Sequence, residues 1–100
     1  MNKASDYLRE EFRKTLSMLL TDAARSMIQE IDAGTPQDTA RDHFNSRADI
    51  YIQEQAKQYA ARMAAAGDPI SSAALETMQQ RLKQNIATRT DELLEKINRL

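Results

Sequence analysis

Gly34-Thr35-Pro36 and Gly67-Asp68-Pro69 hold the chain's only glycines and its only prolines, 33 positions apart. They cut 100 residues into near-equal thirds, and no other residue in the chain is a helix breaker. At each mark Gly can take the left-handed conformation that closes a helix. Pro can then open the next one, because its fixed φ suits the first turn and its missing N–H would go unbonded there. The marks predict helices over about 5–33, 36–66 and 70–99. Ser5 or Asp6 would start the first. Thr35 would cap the second with Pro36 at its first position, and Asp38 would complete an acidic capping box and favour the positive helix end. Asp68, Ser71 and Ser72 compete to cap the third. Turns this short make successive helices antiparallel neighbours. Ankyrin and tetratricopeptide repeats have a similar period but fit two short helices into it, whereas each period here holds one.

Composition agrees with helix throughout. The chain has no Val, Trp or Cys, few aromatics and fifteen Ala. Strands draw on β-branched and aromatic side chains, while Ala, Leu, Glu, Gln, Lys, Arg and Met lose least on entering a helix. The expected fold is all-α: one domain over 1–100, an up-down-up bundle of three long helices with straight, coiled-coil-like packing, completed by oligomerisation if the core proves too thin.

The apolar residues recur in steps of four, four and three. The first helix reads Leu8, Phe12, Leu16, Leu19, Ala23, Met27. The second reads Ala40, Phe44, Ala48, Tyr51 with Ile52, Gln55, Tyr59, Met63. The third reads Leu75, Met78, Leu82, Ile86, Arg89, Leu93, Ile97, Leu100. Eleven residues over three turns favour straight or slightly right-handed packing over a left-handed zipper, although any straight amphipathic helix approximates this spacing. Among large aliphatic and Phe residues the middle helix has only Phe44, Ile50, Ile52 and Met63, and 60–66 is almost all Ala. A thin bundle of this size gains little net stability. The expected remedy is self-association or a protein partner, sought first along the middle helix.

The function classes narrow by exclusion. Zero cysteines removes disulfides, thiolate chemistry and Cys-based metal sites. His43 is the only histidine. It reads as a partly solvated side chain and not as a metal ligand, because no second His or Cys can converge with it. Asp38, Asp42, Asp49 and Glu54 interleave with Arg41, Arg47 and Lys57 as a solvated mixed-charge face, and the Glu-x-x-His pairs of di-iron bundles are missing. With both glycines ending helices, no Gly-rich phosphate loop can form. No nucleophile, base and oxyanion set is apparent, so no catalytic residue, cofactor or small-molecule substrate is expected. Net charge is −1 and each third is nearly neutral, unlike the basic skew of a nucleic-acid binder. The N-terminus lacks the apolar core of a signal peptide, and no stretch reaches membrane-span length. The expectation is a cytoplasmic protein, of a size that suits a bacterial or phage reading frame.

Four large apolar residues fall off their helix's stripe at 100° per residue: Tyr7, Met18, Ile50 and Leu94. They are the candidate partner-binding residues, Tyr7 and Ile50 foremost, since aromatic and large aliphatic anchors carry binding energy. Arg81, Lys83, Arg89, Lys96 and Arg99 spread around the third helix, with Arg89 in the apolar register, where its stem can snorkel and its head can pair with Glu92 or another acid. Gln55 is either a buried alignment residue or an edge residue. The leading expectation is a non-enzymatic protein–protein interaction module: an adaptor, an assembly component, or an inhibitor such as a phage or mobile element would aim at a host complex. A nucleic-acid-binding regulator, using basic helix faces of a dimeric bundle, ranks second.

Overall fold

In the computed structural model, which describes residues 3–100, the chain folds as three α-helices: α1 (Lys3–Asp32), α2 (Gln37–Ala65) and α3 (Ser72–Asn98). α2 lies in the middle and packs against both neighbours, giving an all-α three-helix bundle. Residue pairs run in opposite order along α1 and α2. Phe12 stacks on Tyr59, with ring centroids 4.9 Å apart, while Glu30 meets His43 near the other end.

Both glycines do what their positions require. Gly34 has φ +101° and Gly67 has φ +82°. Thr35 N–H donates to the Glu30 carbonyl and Gly34 N–H to that of Ile31; Asp68 and Gly67 repeat the pattern onto Met63 and Ala64. These paired bonds form Schellman closures and satisfy carbonyls that a bare helix end would leave open.

The helix starts differ from expectation. α1 already runs at Lys3, so Ser5 and Asp6 lie inside it. Ser5 is buried and its hydroxyl donates to Asp68 Oδ2 at 2.8 Å, tying α1 to the second turn. Pro36 (φ −56°, ψ 141°) is itself the N-cap of α2, and no side chain caps that end. Its extended ψ pushes the first helical residue one position on, so Thr35 is not at the cap and Asp38 only enriches the first turn. At α3 Ser71 wins over Asp68 and Ser72, its Oγ accepting from Ala74 N–H at 3.1 Å.

The buried residues of α1 are Ser5, Phe12, Leu16, Ala23 and Met27. Positions 5, 16 and 27, and positions 12 and 23, stand eleven apart, the period read from the sequence. α2 buries Ala40, Phe44, Ala48, Ile52, Ala56, Tyr59 and Met63, more than either neighbour. Ala40, Ala48 and Ala56 are at most 3% exposed and enter the core without holding the backbones apart. The middle helix is therefore the best buried, not the exposed one, and its shortage of large residues is what lets α1 approach closely.

α3 is the exposed helix. It buries only Thr90 and Leu94, while Leu75, Met78, Leu82, Ile86, Leu93 and Ile97 are half-buried. No Cα of α1 lies within 8 Å of a Cα of α3. The molecule measures 49 × 22 × 19 Å, with a radius of gyration of 15.8 Å. A compact chain of this length has a radius of gyration of about 13 Å. Its accessible surface is 6994 Å², against about 5,800 Å² for a typical folded monomer of this mass.

Candidate functional site: an open groove between the outer helices

The two core clusters explain how a gap can persist beside a sound core. One joins Met27, Phe44, Ala48 and Leu94; the other joins Phe12, Leu16, Ile52, Tyr59 and Met63. Leu20, Tyr51 and Ile86 pack on both and bridge them. α3 is held to α2 chiefly toward its C-terminal end. Gln37 Nε2 donates to Asn98 Oδ1 at 2.6 Å, Arg41 pairs with Asp91, and Leu94 enters the core beside Phe44.

That attachment sets the rotation of α3. Thr90 and Leu94 face α2, and Thr90 satisfies its hydroxyl by donating to the Ile86 carbonyl at 2.7 Å. On a helix at 100° per residue, Leu94 lies about 80° to one side of Ile86, whereas Leu82 and Met78 lie about 40° and 80° to the other. The apolar stripe of α3 is thus turned partly away from α2 and toward α1.

Two continuous cavities fill the space between α1 and α3, of about 360 and 610 Å³, sharing Phe12, Arg13, Leu82 and Asn85. Their walls are Leu16 and Leu20 of α1 and Met78, Leu82 and Ile86 of α3, with Phe44 and Tyr59 of α2 also lining them. The groove extends from Arg9 to Ala24 along α1, roughly 22 Å at the helical rise.

Among the described residues, every charged side chain lining the groove is an arginine: Arg9, Arg13, Arg81 and Arg89. All four are exposed. The Tyr59 hydroxyl beside Arg9, with Asp6 and Asp68 further off, pushes its guanidinium pKa further up, so this group stays charged. Arg13 has Glu10 at 3.8 Å, a pair open to water. Arg81 and Arg89 have no ion pair among the described residues, so the expected Arg89–Glu92 pairing does not form.

The residues singled out from sequence lie elsewhere. Tyr7, Met18 and Ile50 are 64%, 69% and 53% exposed, and none lines the groove. Tyr7 and Met18, three turns apart, share one face of α1 at roughly 16 Å separation, and Ile50 stands on α2, so they make no single patch. Leu94 is corrected outright: it is 7% exposed and belongs to the core. The projection placed it off the stripe because the stripe, not Leu94, is the part of α3 turned from α2. Gln55 is half-buried at an edge.

His43 is half-exposed and lies 2.9 Å from Glu30 Oε1. Glu30 Oε2 is buried without a hydrogen-bond partner, and no cluster of metal-ligating side chains occurs among the described residues. Arg99 pairs with Glu95, one turn away on the same helix. No described helix is long and apolar enough to cross a membrane.

Arg9 and Arg13 were not singled out from sequence. A signal was present, since they bracket Phe12, but their meaning depends on α3 standing across a gap from them. No family model matches this chain, and neither a curated protein nor a solved structure matches it.

Proposed function

We propose that the protein is a non-enzymatic interaction module that works by docking a protein partner: an adaptor, an inhibitor or an assembly component. One observation carries this reading. A contiguous apolar groove runs between α1 and α3, walled by half-buried Leu, Ile and Met side chains on a frame that α2 already holds together. Large contiguous apolar surface rimmed by polar groups marks contact surfaces, and helices that leave a groove commonly receive another helix there. The middle helix, where the partner was first expected, turns its large apolar residues inward: Phe44, Ile52, Tyr59 and Met63 are buried.

The test is site-specific photo-crosslinking in the native host. A photoreactive side chain at exposed Asn85, where the two halves of the groove meet, is expected to yield adducts with a discrete protein, and one at Ile50 far fewer. A monomer by sedimentation, with no protein adduct from Asn85, would sink the reading.

A nucleic-acid-binding regulator is the second reading, and the arginine-only rim is what favours it. The walls argue against it. Single strands bind on exposed aromatic platforms, whereas Phe12, Phe44 and Tyr59 are buried and the accessible walls are aliphatic. A mobility shift that weakens steeply with salt would promote it.

A further inference from the structure

The geometry points to an acidic amphipathic helix as the occupant of the groove: a partner segment whose Leu-like stripe seats between α1 and α3 and whose flanking carboxylates meet Arg13, Arg81 and Arg89. This rests on the interaction-module reading and adds the chemistry of the partner.

Shape comes first. α1 and α3 both run antiparallel to α2 and hence parallel to each other, with their backbones held apart and apolar side chains lining the space. A helix laid in that space gives each outer helix a neighbour and completes a four-membered bundle. The length from Arg9 to Ala24 accommodates about four turns. Leu82, Ile86 and Leu93, half-buried now, would become core residues.

Charge then selects the occupant. Among the described residues no Asp, Glu or Lys lines either half of the groove. Asp6 and Asp68 partly offset the field of Arg9, and Glu10 that of Arg13. On the α3 bank neither Arg81 nor Arg89 makes an ion pair among the described residues, leaving both to be answered from outside. Arginine suits this task, since its planar fork takes a carboxylate through two parallel hydrogen bonds. A second copy of the chain meeting this groove face to face would set arginine rims against each other, and like charges across an interface are strongly disfavoured. A basic or neutral helix could fill the same apolar space but would leave the arginines unanswered.

The experiment uses the full chain and two fluorescent helical peptides of roughly 16 residues, the groove's length. They share one leucine stripe and differ only in flanking Glu or Lys. Anisotropy titrations at low salt are expected to show the Glu peptide binding at least about tenfold tighter, about three weak exposed pairs acting together. That preference should shrink as salt rises. In an Arg81→Glu/Arg89→Glu variant it should vanish or invert, while the helical signal and melting temperature stay as in the parent chain. Asn85→Glu should weaken the Glu peptide as well. Equal binding of both peptides, binding of neither, or a preference unmoved by Arg81→Glu/Arg89→Glu would overturn the proposal. Two further outcomes would also overturn it: a dimer by sedimentation that Asn85→Glu abolishes, or a single-stranded oligonucleotide that competes for the same arginines. Protein adducts from a photoreactive Asn85, found alongside any of the first three, would leave the interaction reading standing and remove only the acidic helix.

Discussion

The seam between α1 and α2 and the gap between α1 and α3 are made from opposite choices of side chain. Along the seam α2 offers Ala40 and Ala48, each almost wholly buried, and α1 answers with Ala23 among larger residues. Across the gap the facing side chains are Leu16 and Leu20 against Leu82 and Ile86, all large, yet three of the four are only half-buried. Small residues let backbones approach until dispersion contacts are made on all sides. Large residues at a distance make the apolar surface without closing it. Burial in this bundle therefore follows from proximity more than from hydrophobic content, and the helix poorest in large residues ends as the best covered.

The largest expected effect comes from removing matched volume on either side of that divide. Ile52 is fully buried where α2 meets both neighbours, and Ile52→Ala should cost about 2–5 kcal/mol, the range for large-to-small changes in a packed core. Leu82→Ala removes a comparable side chain from the groove wall, where water already reaches it. It should cost well under half as much, because less transfer free energy is lost and no closed cavity is left. Urea denaturation of both variants gives the comparison directly. Equal losses would mean that the gap closes in solution.

Filling space should separate the two regions with opposite signs. Ala56 is 0% exposed, so Ala56→Leu overfills a packed position and should cost about 1–3 kcal/mol. Asn85→Leu adds an apolar side chain of similar size where the two halves of the groove meet. There it should be neutral or slightly stabilising, with no backbone displaced. Thermal melts of the pair report the difference, and a destabilising Asn85→Leu would show that the groove has no room to spare.

These asymmetries mark where sequence was readable. Helix number, helix type and both turns were plain, because Gly34 and Gly67 act through their own backbone and need no neighbour to be understood. The period was also legible in α1, where burial at 5, 12, 16, 23 and 27 keeps the eleven-residue spacing. Phase was not. A stripe says that one face is apolar but not where the neighbouring helices stand around it. In α3 the clasp of Gln37 with Asn98 and Arg41 with Asp91 turns Leu94 inward and the stripe toward α1. In α2 the complete burial of Ala56 depends on how near the neighbouring helices come, which composition alone does not encode. The groove follows from both, so its arginines looked scattered until α1 and α3 were placed side by side.

The smallest effect bears on how firmly each side is pinned at its turn. Both turns close with a glycine and a Schellman pair, but of the two helices that follow them α3 begins with a side-chain cap, Ser71 onto Ala74 N–H, and α2 does not. Ser71→Ala removes that acceptor and should cost about 1 kcal/mol. Thr35→Ala, at the corresponding place before α2, removes no cap because Pro36 occupies the N-cap without one, and should change stability by a few tenths of a kcal/mol at most. The reason lies in what each helix already has. The start of α2 is held from both sides, by Glu30 of α1 on His43 and by Asn98 and Asp91 of α3 on Gln37 and Arg41, so it tolerates open N–H groups facing water. α3 is clasped mainly near its far end, so its first turn depends on local bonding, and that turn borders the groove through Ala73 and Ala74. Amide hydrogen exchange should accordingly rise over the first turns of α3 in Ser71→Ala and stay unchanged in α2 in Thr35→Ala. Equal changes at both starts would mean that α3 is held as firmly as α2 and that the groove wall is more rigid than its half-buried side chains imply.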